Sequence, residues 1–255
     1  MPLEIVTIPC LKDNYAYLVH DPATDTTTVV DAPEAGPILR TLYERGWKLS
    51  HVLITHHHAD HIDGVPMLEA ATGARVIGAE VDVGRLPALT ESVRPGDVIP
   101  IGMQMVEVID APGHTLGHIA WYFSSAGLVF TGDSLMSWGC GRLFEGTAAQ
   151  MWETLQQLSA LPPETLICSG HEYTEANGRF ALSLEPDNPA LLARMAAVRD
   201  ARAKGEPTVP VTLALELATN PFLRASDPVM KALLELQGAP DVEVFAALRN
   251  RKDRF

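Results

Sequence analysis

The segment THHHADH at positions 55–61 constrains this chain more than any other stretch. It follows directly on the apolar run VLI at 52–54, so a short buried strand ends in a burst of ligand-bearing side chains. In extended backbone, residues two apart face the same way, which points His56 and His58 at one place and His57 away from it. Asp60 and His61 come one short turn later. Burying four imidazoles and a carboxylate without a cation is costly. The segment therefore predicts a metal site, carried on loops that leave the ends of strands.

The same order of apolar strand, then polar loop, recurs three times. It yields His114 in APGHTLGH, Asp133 in VFTGDS and His171 in LICSGHEY. A reasonable partition puts His56, His58 and His114 on one ion and Asp60, His61 and His171 on a second, with Asp133 bridging through both oxygens. His118 is an alternative third ligand, with structural support the favoured role. His57 is expected to hydrogen-bond behind the ligands. Two cations about 3.5–4 Å apart can share a water and lower its pKa until hydroxide is available near neutrality. Nitrogen and carboxylate donors suit zinc, and also iron or manganese. Cys10, Cys140 and Cys168 form no CxxC pair and read as small buried apolar residues, so a thiolate site is not expected.

The rest of the sequence supplies the frame. Alternation and β-branching predict strands over LEIVTIP (3–9), YAYLV (15–19) and TTTVVD (26–31). A helix over 37–46 should stop at Gly46, with Leu39, Leu42 and Tyr43 on its apolar stripe. A second helix is expected over 63–73, a strand over 75–79, and successive strands from 98 to 131. The result is an α/β unit of two sheets faced by helices. After about residue 175 the pattern turns helical: 189–205, with Pro189 near its start, then 211–220, 227–238 and 241–253. The expected division is 1–173 for an α/β unit and 174–255 for a smaller helical domain. All nine histidines lie at or before position 171, which assigns their chemistry to the first part.

The net charge of −13 removes a global basic footprint for nucleic acid and disfavours acidic membranes. With no secretory-type leader, no long apolar run and few cysteines, the expectation is a cytoplasmic monomer acting on a small molecule.

THHHADH, APGHTLGH, FTGDS and SGHEY together resemble the metal-binding motifs of the metallo-β-lactamase-fold hydrolases. IPCLKDNYAYL (8–18), GCGRLFEGTAAQM (139–151), NPFLR (220–224) and the terminal RNRKDRF extend the resemblance to the glyoxalase II, or hydroxyacylglutathione hydrolase, family. The resemblance implies an αββα sandwich followed by a helical domain. It also implies a binuclear centre on His56, His58, Asp60, His61, His114, Asp133 and His171. Its glutathione contacts fall on Arg142, Tyr173, Arg249 and Lys252. An aromatic hydroxyl contact of some members falls on Phe144, which has no hydroxyl, and Arg142 stands where some members carry lysine.

The function so implied is hydrolysis of a glutathione thioester, S-D-lactoylglutathione in the usual case, to glutathione and D-lactate. Asp60 and Asp133 are the carboxylates of that chemistry, Asp60 as a ligand rather than a free base. Against the chain's own negative field, Arg142, Arg249 and Lys252 are the cations available for the substrate's carboxylates; at the helix end the basic residues also suit a C-terminal turn. Rival readings are a lactone, β-lactam or phosphodiester hydrolase, a mononuclear-iron persulfide dioxygenase, and a non-catalytic metal-stabilised module.

Overall fold

The structure, a computed structural model, describes residues 2–255. The chain forms two compact units, one of residues up to Ala111 with Gly117–Gly132, the other of Pro112–Leu116 with Asp133–Phe255.

The first unit runs β1 (Glu4–Cys10), β2 (Asn14–Asp21), β3 (Thr26–Val30), α1 (Ala35–Arg45), β4 (Leu49–Leu53), α2 (Ala59–Ile62), α3 (Val65–Thr72), β5 (Arg75–Ala79), β6 (Glu91–Val93), β7 (Val98–Ile101), β8 (Gln104–Asp110), β9 (Ile119–Phe123) and β10 (Leu128–Gly132). Strands β1 to β6 form one sheet in chain order, antiparallel up to β3 and parallel from β3 to β6. The parallel pairs need crossovers, which α1 and the α2–α3 pair provide. Strands β7 to β10 form antiparallel neighbours in the second sheet. The two sheets meet face to face: the Tyr17 ring sits 5.4 Å from Phe130, and Trp121 Nε1 donates to the Ile54 carbonyl at 3.2 Å. Ile38, Leu42, Val65 and Leu68 of α1 and α3 pack on Val29, Val52 and Val76 of the first sheet. With both of its faces covered, β2 is buried along its whole length.

Local signals place the helices well. The expected stops at Gly46 and Gly73 are real: both are left-handed, with φ of 68° and 70°, and their N–H groups close the preceding turns. Tyr43 departs from expectation, being 88% exposed. The stripe that packs is Ala35, Ile38 and Leu42, with Leu39 at its margin. Tyr43 lies one residue past that stripe, and the helical turn of about 100° carries it into solvent.

The second unit contains β11 (Leu135–Met136), β12 (Gly139–Cys140), α4 (Ala148–Ser159), β13 (Leu166–Ser169), α5 (Thr174–Leu184), α6 (Pro189–Ala203), β14 (Val211–Thr212), α7 (Leu213–Thr219), α8 (Pro228–Leu233) and α9 (Asp241–Asp253). The stretch 211–220, expected as all helix, begins as a two-residue strand paired with β13 before Thr212 caps α7. Within the second unit, residues 133–173 pack with the terminal helices. Trp152 of α4 lies 6.0 Å from Phe245 of α9, and Asn220 bonds the carbonyls of Met136 and Gly139. Composition along the chain carries no trace of such distant packing. Among the described residues, no helix is long and apolar enough to cross a membrane.

Candidate metal centre and substrate cavity

The first unit presents four of the expected ligands where β4 gives way to α2. His58 is the extended N-cap of α2, and Asp60 and His61 occupy its single turn. The proton positions follow from fixed partners. Asp31 Oδ2 accepts from Thr55 Oγ1 and from His61 Nδ1, both at 2.8 Å, and Asp31 Oδ1 accepts from the Thr55 amide at 2.8 Å. His61 therefore carries its proton on Nδ1 and offers Nε2. Thr55 spends its one hydroxyl proton on Asp31, so it can only accept from His56 Nδ1 at 3.0 Å, which leaves the lone pair of His56 on Nε2.

That Nε2 lies 3.1 Å from His58 Nδ1. Two donors held about 2.0–2.1 Å from one tetrahedral ion stand about 3.3 Å apart. The imidazole pair thus has the spacing of a chelate. Asp60 Oδ2 lies 3.9 Å from His61 Nε2, a wider bite, and accepts at 2.9 Å from Asn14 Nδ2.

The second unit presents the remaining ligands. His114 Nδ1 donates to the Arg142 carbonyl at 2.8 Å, which again puts the ring's lone pair on Nε2. Asp133 Oδ2 is 3.4 Å from His114 Nε2 and 3.4 Å from His171 Nε2, so a single oxygen holds ligand spacing to both rings. A Cβ on Gly141 would fall 1.9 Å from the Asp133 carbonyl oxygen, so only glycine permits this approach. The donor chemistry and spacing fit divalent cations.

Other histidines fall outside the donor set. The His118 ring stacks on His56 at 4.7 Å and 19°, supporting it face to face. His57 turns to Asp82 and Arg85, at 3.3 Å from each. The three cysteines form no disulfide among the described residues and are buried, as expected, and burial pushes the Cys140 thiol up to about 11.

A cavity of about 560 Å³ opens in the second unit, with His114 and Asp133 in its lining together with Arg142, Phe144, Tyr173 and Lys252. Phe144 tilts against His114 at 5.2 Å, and Tyr173 stacks on His171 at 4.6 Å. Arg142 is exposed. Lys252 is half-buried, donates to the Ala176 carbonyl at 3.2 Å, and lies 5.4 Å from the rings of Phe180 and Phe255. Burial first, then repulsion from Arg249, Arg179 and Arg142, pushes its ammonium down to about 8. Arg249 lines the same cavity but is only 5% exposed. Its guanidinium donates to the Cys140 carbonyl at 2.8 Å and pairs with Asp253 at 2.8 Å.

Sequence reasoning missed Asn14, Asp31 and Asp82, which hold ligands or their neighbours from behind. One signal was present for Asp31, which closes the strand-like TTTVVD much as Asp133 closes VFTGD.

A family model for the metallo-beta-lactamase superfamily matches residues 12–171, and one for the hydroxyacylglutathione hydrolase C-terminus matches 172–255. A hydroxyacylglutathione hydrolase of Rhodobacter capsulatus is 64% identical over 256 residues, all of both chains. The chain belongs to the hydroxyacylglutathione hydrolase family. Another hydroxyacylglutathione hydrolase, from Cereibacter sphaeroides, is 59% identical, again over the whole of both chains. Among solved structures, ETHE1 from Myxococcus xanthus superposes with a TM-score of 0.65 at 27% identity, covering 99% of this chain and 98% of that one. As a family member the chain has the α/β metallo-β-lactamase fold with a helical C-terminal region, and that fold with its histidine and aspartate donors supports divalent-metal binding.

Proposed function

We infer that the chain hydrolyses the thioester of S-(2-hydroxyacyl)glutathione to glutathione and a 2-hydroxy acid, the general chemistry of methylglyoxal detoxification. The observation that carries this reading is one cavity, lined at once by ligand-spaced His114 and Asp133 and by the cations Arg142 and Lys252.

We propose that His56, His58 and His114 hold one divalent ion and Asp60, His61 and His171 a second. Asp133 would serve both ions, since its Oδ2 stands 3.4 Å from His114 Nε2 and 3.4 Å from His171 Nε2. Zinc suits the nitrogen-rich set. Bound there, the ions supply Lewis acidity toward the thioester carbonyl and bring a water's pKa toward neutrality.

The protein's own residues do the rest. Arg142 and Lys252 take the carboxylates of the glutathionyl group, and Arg249 adds positive charge from behind while Asp253 offsets part of it. Phe144 and Tyr173 confine the reacting end beside the two histidines they touch. Asn14 fixes Asp60 as a ligand, which removes it as a free base. The leaving thiolate, with a reference pKa of about 8.5, departs without a general acid. The enzyme's setting in this reading is the cytoplasm, where its three thiols stay reduced.

Metal-replete protein should hydrolyse S-D-lactoylglutathione far faster than a simple alkyl thioester. Two charge-assisted contacts at about 1.5 kcal/mol each amount to about 100-fold in kcat/KM. Equal rates on the two substrates would defeat the assignment.

A further inference from the structure

A group of polar side chains lies buried in the second unit, away from the ligands. Glu216 of α7 is fully buried, as are Ser137, Thr219 and Asn220, and Arg194 of α6 is 8% exposed. Arg194 pairs with Glu216 and Thr219, donates to Ser137 Oγ at 2.8 Å, and lies 4.2 Å over the Trp138 ring. The same cluster also grips one short hairpin, β11–β12. Glu216 Oε2 accepts from the Trp138 amide at 2.8 Å, and Asn220 Nδ2 donates to the carbonyls of Met136 and Gly139 at 3.1 Å. Asn177 Nδ2 donates to the Ser137 carbonyl at 3.0 Å.

The turn needs such a grip. Trp138 stands at φ 55°, a left-handed conformation that a bulky side chain adopts only under strain. The hairpin also joins two parts of the candidate centre. Asp133 precedes it by two residues, and the Gly141 amide past its end closes on the Ser134 carbonyl at 3.1 Å. The next residue supplies the Arg142 carbonyl that fixes the proton on His114 Nδ1. A shift of the turn therefore moves both the shared oxygen and the acceptor that aims a histidine.

We propose that Glu216, charged against Arg194, is a positioning residue for Asp133 and His114. It holds the strained Trp138 turn and so sets the 3.4 Å spacing between carboxylate and imidazole. The inference rests on the reading of Asp133 and His114 as metal ligands. Glu216 touches neither ligand and acts through the hairpin backbone.

The test is Zn²⁺ affinity of the full-length protein, by competition with a chromogenic chelator, with thermal unfolding followed in parallel. Replacing a buried ion pair by apolar residues of similar volume is often close to neutral for stability. The double variant Arg194→Met/Glu216→Leu should thus stay folded yet lose about 10–100-fold in affinity. Arg194→Met/Glu216→Gln keeps an acceptor for the Trp138 amide and should restore the parent value. Parent-like affinity in both variants, or equal loss in both, overturns the proposal. Where the leucine variant does not fold, Arg194→Met/Glu216→Met takes its place: it too removes the acceptor for the Trp138 amide and should weaken Zn²⁺ binding, whereas unchanged binding again overturns the idea. Hydrolysis of S-D-lactoylglutathione by the unaltered holoenzyme is measured alongside. Its absence counts against the proposed function, while the affinity series decides the role of Glu216 separately.

Discussion

Replacing Asp31 by asparagine changes one atom type at the back of the centre and little else. Asp31 is 3% exposed and has φ 55°, a conformation that asparagine tolerates as readily as aspartate. Its two oxygens accept three hydrogen bonds, all of 2.8 Å, from the Thr55 amide, the Thr55 hydroxyl and His61 Nδ1. An asparagine that keeps its carbonyl oxygen on the Thr55 amide turns its NH₂ toward His61 and the Thr55 hydroxyl. Donor then meets donor at His61, and the relief is a change of tautomer. The proton moves to Nε2, the atom that faces the metal, and the lone pair turns away. Loss of a partner behind a metal ligand costs about 10–100-fold in metal affinity, equivalent to about 1.4–2.7 kcal/mol. Chelator competition for Zn²⁺ reads the loss directly, and hydrolysis of S-D-lactoylglutathione should fall with it at limiting metal. An Asp31→Asn protein with the parent's metal affinity and an unchanged unfolding temperature would refute the tautomer argument.

Two further predictions concern the cavity. Lys252 carries its charge below a pKa of about 8 and loses it as pH rises through that value, so kcat/KM for the glutathione thioester should fall on the alkaline side near pH 8. Lys252→Met should abolish that limb and raise KM more than it lowers kcat; survival of the limb in the variant assigns it to another group. Phe144→Tyr places a hydroxyl at a 63% exposed position on the cavity lining, where, in the proposed reading, it donates to the peptide backbone of the glutathionyl group. The expected result in steady-state kinetics is a lower KM with kcat unchanged, and an unchanged KM would mean the hydroxyl finds no partner.

Much of the frame was legible because its signals are local. Helix α9 covers the expected 241–253, α6 starts at Pro189, and the glycines at 46 and 73 end their helices. Helix α4 was overlooked although Thr147 and Gln150 form a capping box, a signal readable from the T-x-x-Q spacing. The start of α7 was blurred because Val211 and Thr212 pair with β13, a contact that periodicity does not carry. Arg249 is the most instructive site residue. Its place in the terminal basic cluster suggests a free cation, yet packing of α9 commits its donors to Cys140 and Asp253.

The chain by itself determined the kinds of donor atom, the strand-end loops that carry them and the family they belong to, since side-chain chemistry and short-range periodicity are written residue by residue. Only the tertiary structure decided which nitrogen of His56, His61 and His114 carries the lone pair, that one oxygen of Asp133 lies 3.4 Å from two histidines, and that Glu216 stands behind the turn. A hydrogen-bonded proton is assigned by whatever group faces it. In a folded chain that group comes from packing between segments far apart in sequence, where no local pattern records it.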